Sequence, residues 1–511
     1  MRKLRYASVL TASTLTLAAC GMGGGTTDGG SGATGDQTIV VDEPFAPAAN
    51  WALETDDAFV LSKAGCLETL VKYETSGALK PMLAVSWKET AWTAWDIKLR
   101  SGVTFQDGTP LDAQAVVGAL KHALGVKTPA SVFSPETIKD VAAVDGSTVR
   151  ITTKTPDSLL PQRLAAPNTG ILAPKAYTGS STDPKGTCTG PFQVTKEIPQ
   201  QAVTLKRNAS YWGGPVKLGS AEVRFIADAA KRATQVQTGE AQISRKLAVT
   251  SIQDLKGSGD IKVDTAQLPR TIELVLNNKK APFDNELVRQ AIQAAIDPKA
   301  ITEAVYAGAG RPAVGPFGPG EPWTPEGAEP VAADPAKAKT LLATAGVAPS
   351  SVKIQLIAYN EGSSFSDLAA VIQAQLKAIG VRVTIRTADY ASVEPDLLSG
   401  DFQAALLSRN YLSTMPDPLG FLTADYTCQG SYNLAHFCDP KIDAALKKAA
   451  STTDTKTRNA VYAEVAATLQ SRAVDVFLVH ETESAALAGQ VSGFRLHPYY
   501  TLTADLSLAT K

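Results

Sequence analysis

Residues 353–387 alternate, break and alternate again. Ile354, Leu356 and Ala358 fall on every second position, which predicts a strand. Leu368, Val371, Ile372, Leu376 and Ile379 then recur at helical spacing, and Gly380 is placed to end the helix. Val381, Val383 and Ile385 alternate with Arg382, Thr384 and Arg386, a second strand. The unit reads as β-α-β, with its two strands parallel. The same order recurs at 222–244, where Val223, Phe225 and Ala227 form a strand, 229–238 a helix stopped by Gly239, and 241–244 a short strand. Two such units far apart in the chain predict two α/β lobes.

Other segments fill in around them. Strand character runs through 261–276, a helical stripe of Val288, Ala291, Ile292 and Ala295 follows, and a late helix spans 457–469. Ala404 to Leu407 read as a further strand. Trp87, Trp95, Ile97, Leu99, Val103 and Phe105 sit among tight turns, the pattern of a β-meander, followed by a helix over 112–124 and a strand at 149–153. The Pro-rich stretch 315–330 is expected to be surface loop.

The N-terminus is of another kind. Residues 1–5 are basic, 6–19 are apolar and without acid groups, and Leu17, Ala18 and Ala19 lead into Cys20. This describes a secretory signal too short to span a bilayer. After it, 21–36 hold eight glycines and four Ser or Thr. Such a segment buries nothing and should act as a flexible tether with a reach of about 22 Å.

Composition narrows the class. The 511 residues carry 49 Lys and Arg against 50 Asp and Glu. Removing 1–19 leaves 46 basic against 50 acidic groups, a net charge of about −4 that gives no reason to expect nucleic acid as a partner. Besides Cys20, four cysteines remain. In an exported chain they point to two disulfides with three pairings possible, against the competing reading of four free thiols. Cys428 and Cys438, ten residues apart, are the easiest pair, which leaves Cys66 with Cys188. No Cys-x-x-Cys or Cys/His spacing marks a metal site, and no cofactor motif occurs. His480-Glu481 lacks the second histidine of a zincin, and 350–353 (SSVK) lacks the companion motif of the penicillin-interacting enzymes. The chain is read as a non-enzyme.

Several stretches carry a resemblance. Residues 67–74 (LETLVKYE), 81–87 (PMLAVSW), 99–113 (LRSGVTFQDGTPLDA), 189–192 (TGPF), Arg207-Asn208 with Tyr211-Trp212, and Phe283-Asp284 with 288–297 follow in the order found in the family-5 extracellular solute-binding proteins, the peptide/nickel-type receptors of ABC importers. Leu17 to Cys20 similarly resemble a bacterial lipobox, which implies a lipid on Cys20 and anchoring on the outer face of the cytoplasmic membrane. The resemblance implies an α/β, two-lobed periplasmic-binding-protein-like clamp (type II, cluster C-like) with a small domain inserted in the first lobe. The expected boundaries are 37–79, 185–268 and 481–511 for lobe I, 80–184 for the insert and 269–480 for lobe II. It further implies a monomer, a small-molecule or peptide ligand, and ABC permease subunits as partners.

Ligands of open parallel sheets collect beyond the carboxyl ends of strands. The loop from Ser408, Arg409, Asn410 and Tyr411 to Asp417 is therefore the expected ligand wall, with Tyr411 where relatives of this type have an aromatic residue. Asp57 and Phe59, in 56–62 ahead of a helix at Leu67, are candidates for the facing wall, and Trp323 is another. Thr414 stands where peptide receptors have an aspartate for the α-amino group. Ser363, Ser364, Ser366 and Asp367 stand where dipeptide receptors have an arginine, and Leu419 where nickel receptors have a histidine. The four histidines, His122, His436, His480 and His497, form no cluster in the sequence.

Overall fold

The computed structural model describes residues 37–178, 181–360, 364–412 and 415–509. The signal segment 1–19, Cys20 with the tether to 36, Ser363 and Thr414 lie outside them.

An eleven-stranded sheet forms the frame. Its order along one edge is Phe192–Ile198, Ala202–Arg207, Ser220–Phe225, Thr38–Glu43 and Ile243–Arg245. Two long strands follow, Asp475–Ala488 and Ile261–Leu276, and then Ala404–Asn410, Lys353–Tyr359 and Arg382–Ala388. Arg311–Pro312 pairs with Asp475–Ala488 off this path.

Both β-α-β units are present. Lys353–Tyr359, helix Phe365–Ala378 and Arg382–Ala388 form adjacent parallel strands in the register Lys353 to Arg382. In the other unit, Ser220–Phe225 and Ile243–Arg245 flank helix Ala229–Thr238 but do not touch. Thr38–Glu43 inserts between them, parallel to each. Alternation within a strand fixes which face is buried and says nothing about its neighbours, so only the structure shows this order.

The long strands join the two halves. Residues 261–267 pair with 482–488 beside the first half, and 271–275 pair with 475–480 beside the second. Between them Leu268, Pro269 and Arg270 break the register. Proline has no N–H to give a ladder, so it is admitted at such a bulge and not inside the paired run.

The meander is a four-stranded antiparallel sheet, ordered Ala84–Ala91, Ala94–Leu99, Thr148–Thr153, Ile138–Asp145 and backed by helix Ala113–Gly125. Asp112 caps that helix, accepting the Ala115 N–H at 2.9 Å. Disulfides join Cys66 to Cys188 and Cys428 to Cys438, with Cα separations of 5.4 and 4.4 Å.

Two local expectations need correction. The helix near Leu67 lies earlier, at Asp57–Lys63, and the chain then turns at Gly65, whose φ is +68°. The Pro-rich stretch is not wholly surface. Phe317 and Trp323 are buried, Phe317 lying edge-on to Tyr411 with centroids 5.2 Å apart. Two aromatic groups in one loop hold more apolar area than a solvated loop leaves exposed.

Candidate functional site

A cavity of about 840 Å³ lies where the two long strands pass between the halves of the sheet. It meets the carboxyl end of Thr38–Glu43, the bulge Leu268–Arg270, the loop at Glu321, Asn410 at the end of Ala404–Asn410, and the C-terminal residues His497 and Tyr499. This is the crevice that strand polarity favours.

One wall is braced by buried charge. Arg245 donates from Nε to Glu483 at 2.9 Å, from Nη1 to Glu43 at 3.2 Å and to the Thr501 hydroxyl, and from Nη2 to the His497 carbonyl at 3.1 Å. Lys63 stands 4.0 Å from Glu43. Burial pushes the Glu43 carboxyl up, but Arg245, Lys63 and Thr501 outweigh it and hold it below the usual range. The Arg245 donors are all engaged, so this guanidinium positions the wall and leaves ligand contacts to its neighbours.

The opposite wall rests on Arg270, which donates to the Ser408 carbonyl and hydroxyl at 3.1 Å each and lies 3.8 Å from Glu481. Ser408 donates its hydroxyl to Glu481. Ser408 is thereby tied into the strand crossing.

The structure separates the residues expected to act together. Phe59 and Asn410 line the cavity. Asp57 does not. It is buried and accepts the N–H groups of Ala48 and Ala49 at 2.8 Å and of Trp51 at 2.9 Å, so its carboxylate is used in holding a loop. Arg409 lies on the face away from the Ser408 and Asn410 side chains, as strand alternation requires. It pairs with Asp425 through two contacts of 2.7 and 2.9 Å and stacks 4.3 Å over the Tyr432 ring. Asp417 is buried against the Tyr462 hydroxyl at 2.8 Å and Arg458 at 3.3 Å. Tyr411 is only 1% exposed and packs between Phe317 and Phe421. It is no open stacking wall. Its hydroxyl instead donates to Glu321 at 3.3 Å.

Several cavity residues carried no signal in the sequence. Glu321 is pushed up to about 7 by burial, with the Tyr411 hydroxyl pulling the other way. Phe45 is 65% exposed at the cavity, with Lys246 Nζ 4.8 Å from its ring centre. Tyr73 and Tyr499 line it together with Phe59, with ring centres 5.7 Å apart for the tyrosines and 5.5 Å for Phe59 and Tyr499. His497 sits beside them, lowered to about 4 chiefly by burial, and accepts the Tyr499 N–H on Nδ1. Among the described residues no group of three or more His, Cys, Asp or Glu side chains is placed to hold a metal ion.

Residues 78–433 match the model of the bacterial extracellular solute-binding proteins, family 5. The chain belongs to that family. This solute-binding protein is 26% identical to heme-binding protein A of Haemophilus influenzae, over 97% of each chain. It is also 26% identical to di/tripeptide-binding protein 2 of Pseudomonas aeruginosa, covering 83% of this chain and 85% of that one. Among solved structures it superposes on a nickel ABC transporter protein of Bacillus halodurans with a TM-score of 0.83 and 26% identity, covering 93% of this chain and all of the other. The fold is the two-lobed clamp of this family, and the protein is the substrate-binding component of an ABC importer.

Proposed function

We propose that this solute-binding protein captures a short or modified peptide in the cavity between its lobes and delivers it to membrane permease subunits as a monomer tethered by lipid on Cys20. The observation that carries the reading is the position of the cavity, at the point where two strands alone run from one half of the sheet to the other among the described residues. On this reading the lobes comprise 37–79, 185–268 and 481–511 on one side and 269–480 on the other, with 80–184 as the insert. Closure bends the chain at Pro269 and Glu481, and a ligand touching both walls favours the closed form.

The cavity volume is that of a site for a small organic solute. Lys246 and Arg311 line it outside any close ion pair among the described residues, Lys246 reaching the Glu43 charge only at longer range, and Glu54 and Asp56 line it without a cation partner. Opposite charges left open within one cavity suit a zwitterion, and a short peptide is one. A relative named for di- and tripeptides supports that choice.

Thermal-shift and calorimetric screening of the full chain against di- and tripeptides, glutathione, haem and nickel–histidine tests the substrate. A peptide at 100 times its Kd should stabilise the protein by about 2.7 kcal/mol. A response confined to haem or to the metal chelate would overturn the peptide assignment. Labelling with an alkyne fatty acid, in the natural chain and in Cys20→Ser, tests the anchor. Absence of label from the natural chain would remove it.

A further inference from the structure

Glu321 is a largely buried carboxyl group of the cavity that no cation among the described residues balances. Its hydrogen bond comes from the neutral Tyr411 hydroxyl, and no Lys, Arg or His among the described residues pairs with it. The groups facing it are Tyr411, beyond strand Ala404–Asn410, and Tyr73, whose hydroxyl is raised first by burial and next by the Glu321 charge. The loop that carries it is fixed. Pro322 and Trp323 cover Gly77, where an added Cβ would lie 3.0 Å from Pro322 and 3.6 Å from the Trp323 ring. Glu321 is thus held between the hairpin at Gly77 and the Tyr411 strand.

A second observation points the same way. Gln267 lines the cavity, and its buried Oε1 accepts no hydrogen bond. Glu321 and the Gln267 side chain both meet the Tyr411 hydroxyl, so a carboxyl without a cation and an amide oxygen without a donor lie at one end of the cavity. The third element is aromatic: Phe59, Tyr73 and Tyr499 line the same space. Aromatic faces attract cations and offer little to anions. His497, behind these rings, is neutral at physiological pH and supplies no competing charge.

We infer that Glu321, Gln267 and the Phe59–Tyr73–Tyr499 rings form a receptor for a cationic group of the ligand, an ammonium carried by the solute. Binding ionises the Glu321 carboxyl, and the proton it held passes to solvent. The inference rests on the reading of this cavity as the ligand site. It adds which end of the solute enters and couples capture to pH. A buried carboxylate left unpaired is costly, and the ligand's charge removes that cost.

The test uses the full chain and Glu321→Gln, with calorimetry against trialanine, N-acetyl-trialanine and choline. In the natural protein at pH 8, trialanine should bind about 30-fold more tightly than its acetylated form. The preference should shrink at pH 5.5, where the carboxyl holds its proton, and should vanish in Glu321→Gln. Equal affinity for the pair, or a preference kept by the variant, overturns the inference. Binding of choline alone among the probes would support the cation site and sink the peptide assignment. If none of the three binds, the peptide reading fails and melting temperatures of the ligand-free proteins decide the matter. The folded carboxyl then loses stability as pH rises toward 7, so the variant should gain on the natural protein between pH 5 and 8. A difference independent of pH would show that Glu321 is already balanced, and the inference would fall.

Discussion

Arg245 Nη2 stands 2.7 Å from Glu483 Oε1. The contact joins the end of a short parallel strand to the middle of a strand that runs on into the other half of the sheet, and both groups are buried. Arg245→Met would leave Glu43 and Glu483 buried, with Lys63 and the more distant Lys246 as the cations acting on Glu43. The expected loss is about 3–5 kcal/mol, read as a lower urea midpoint. Because the Glu43 carboxyl is held below its usual range, the stability it contributes is present above the unfolded value and lost as pH falls through the folded one. The gap between variant and natural protein should therefore narrow below about pH 4.

Glu273 and Asp475 behave oppositely. Tyr426 donates to Asp475 at 3.0 Å and lies 3.4 Å from Glu273. Burial pushes Asp475 up to about 7, with the Asp425 charge adding to it, and burial with the Asp475 charge pushes Glu273 well above its usual range. Groups raised in the folded state cost nothing extra below their unfolded values and remove stability as pH climbs toward 7. Glu273→Gln keeps an acceptor for Tyr426 and removes one acid. Its melting temperature should rise relative to the natural protein from pH 5 to pH 8, and a flat difference would refute the upward shift of these two carboxyls.

Phe45→Ala should separate binding from stability. The side chain is largely exposed, so folding should change by less than about 0.5 kcal/mol. Any solute that binds in the cavity should bind more weakly, because the Phe45 face is lost and the Lys246 ammonium loses the ring it rests over. Denaturation and calorimetry on the same sample give both readings.

The Cys66–Cys188 bond closes the chain between residues 122 apart in sequence. Replacing both by serine should cost about 4–5 kcal/mol in the chain-entropy model, about 2 kcal/mol more than loss of the ten-residue Cys428–Cys438 link. Chemical denaturation of each double variant, with and without reductant, measures the difference.

Periodicity made the β-α-β units, the long strand at Ile261–Leu276 and the meander legible, because each buries one face against a core. The insertion of Thr38–Glu43 between the strands of the first unit left no such trace, since neighbours in a sheet are chosen by the whole fold. The site divides in the same way. Asn410 follows from where a strand ends and Phe59 from the helix Asp57–Lys63 that faces it, and Arg409 was misplaced by a single step of strand alternation. Asp57, Asp417 and Tyr411 looked like ligand groups because buried scaffolding uses the same residue types. Glu321 was hidden in a Pro-rich stretch whose Phe317 and Trp323, turned inward, are what bring it to the cavity.

The wall of the cavity brings together Glu43 and Thr501, residues from nearly opposite ends of the described chain, both bonded to Arg245. On a chain that emerges from one end to the other, this wall cannot exist until residue 501 has arrived. A growing or half-exported molecule therefore has both β-α-β units within reach and yet an unfinished cavity wall. If that cavity holds the ligand, as proposed, capture waits until the C-terminal residues have closed over the first strand.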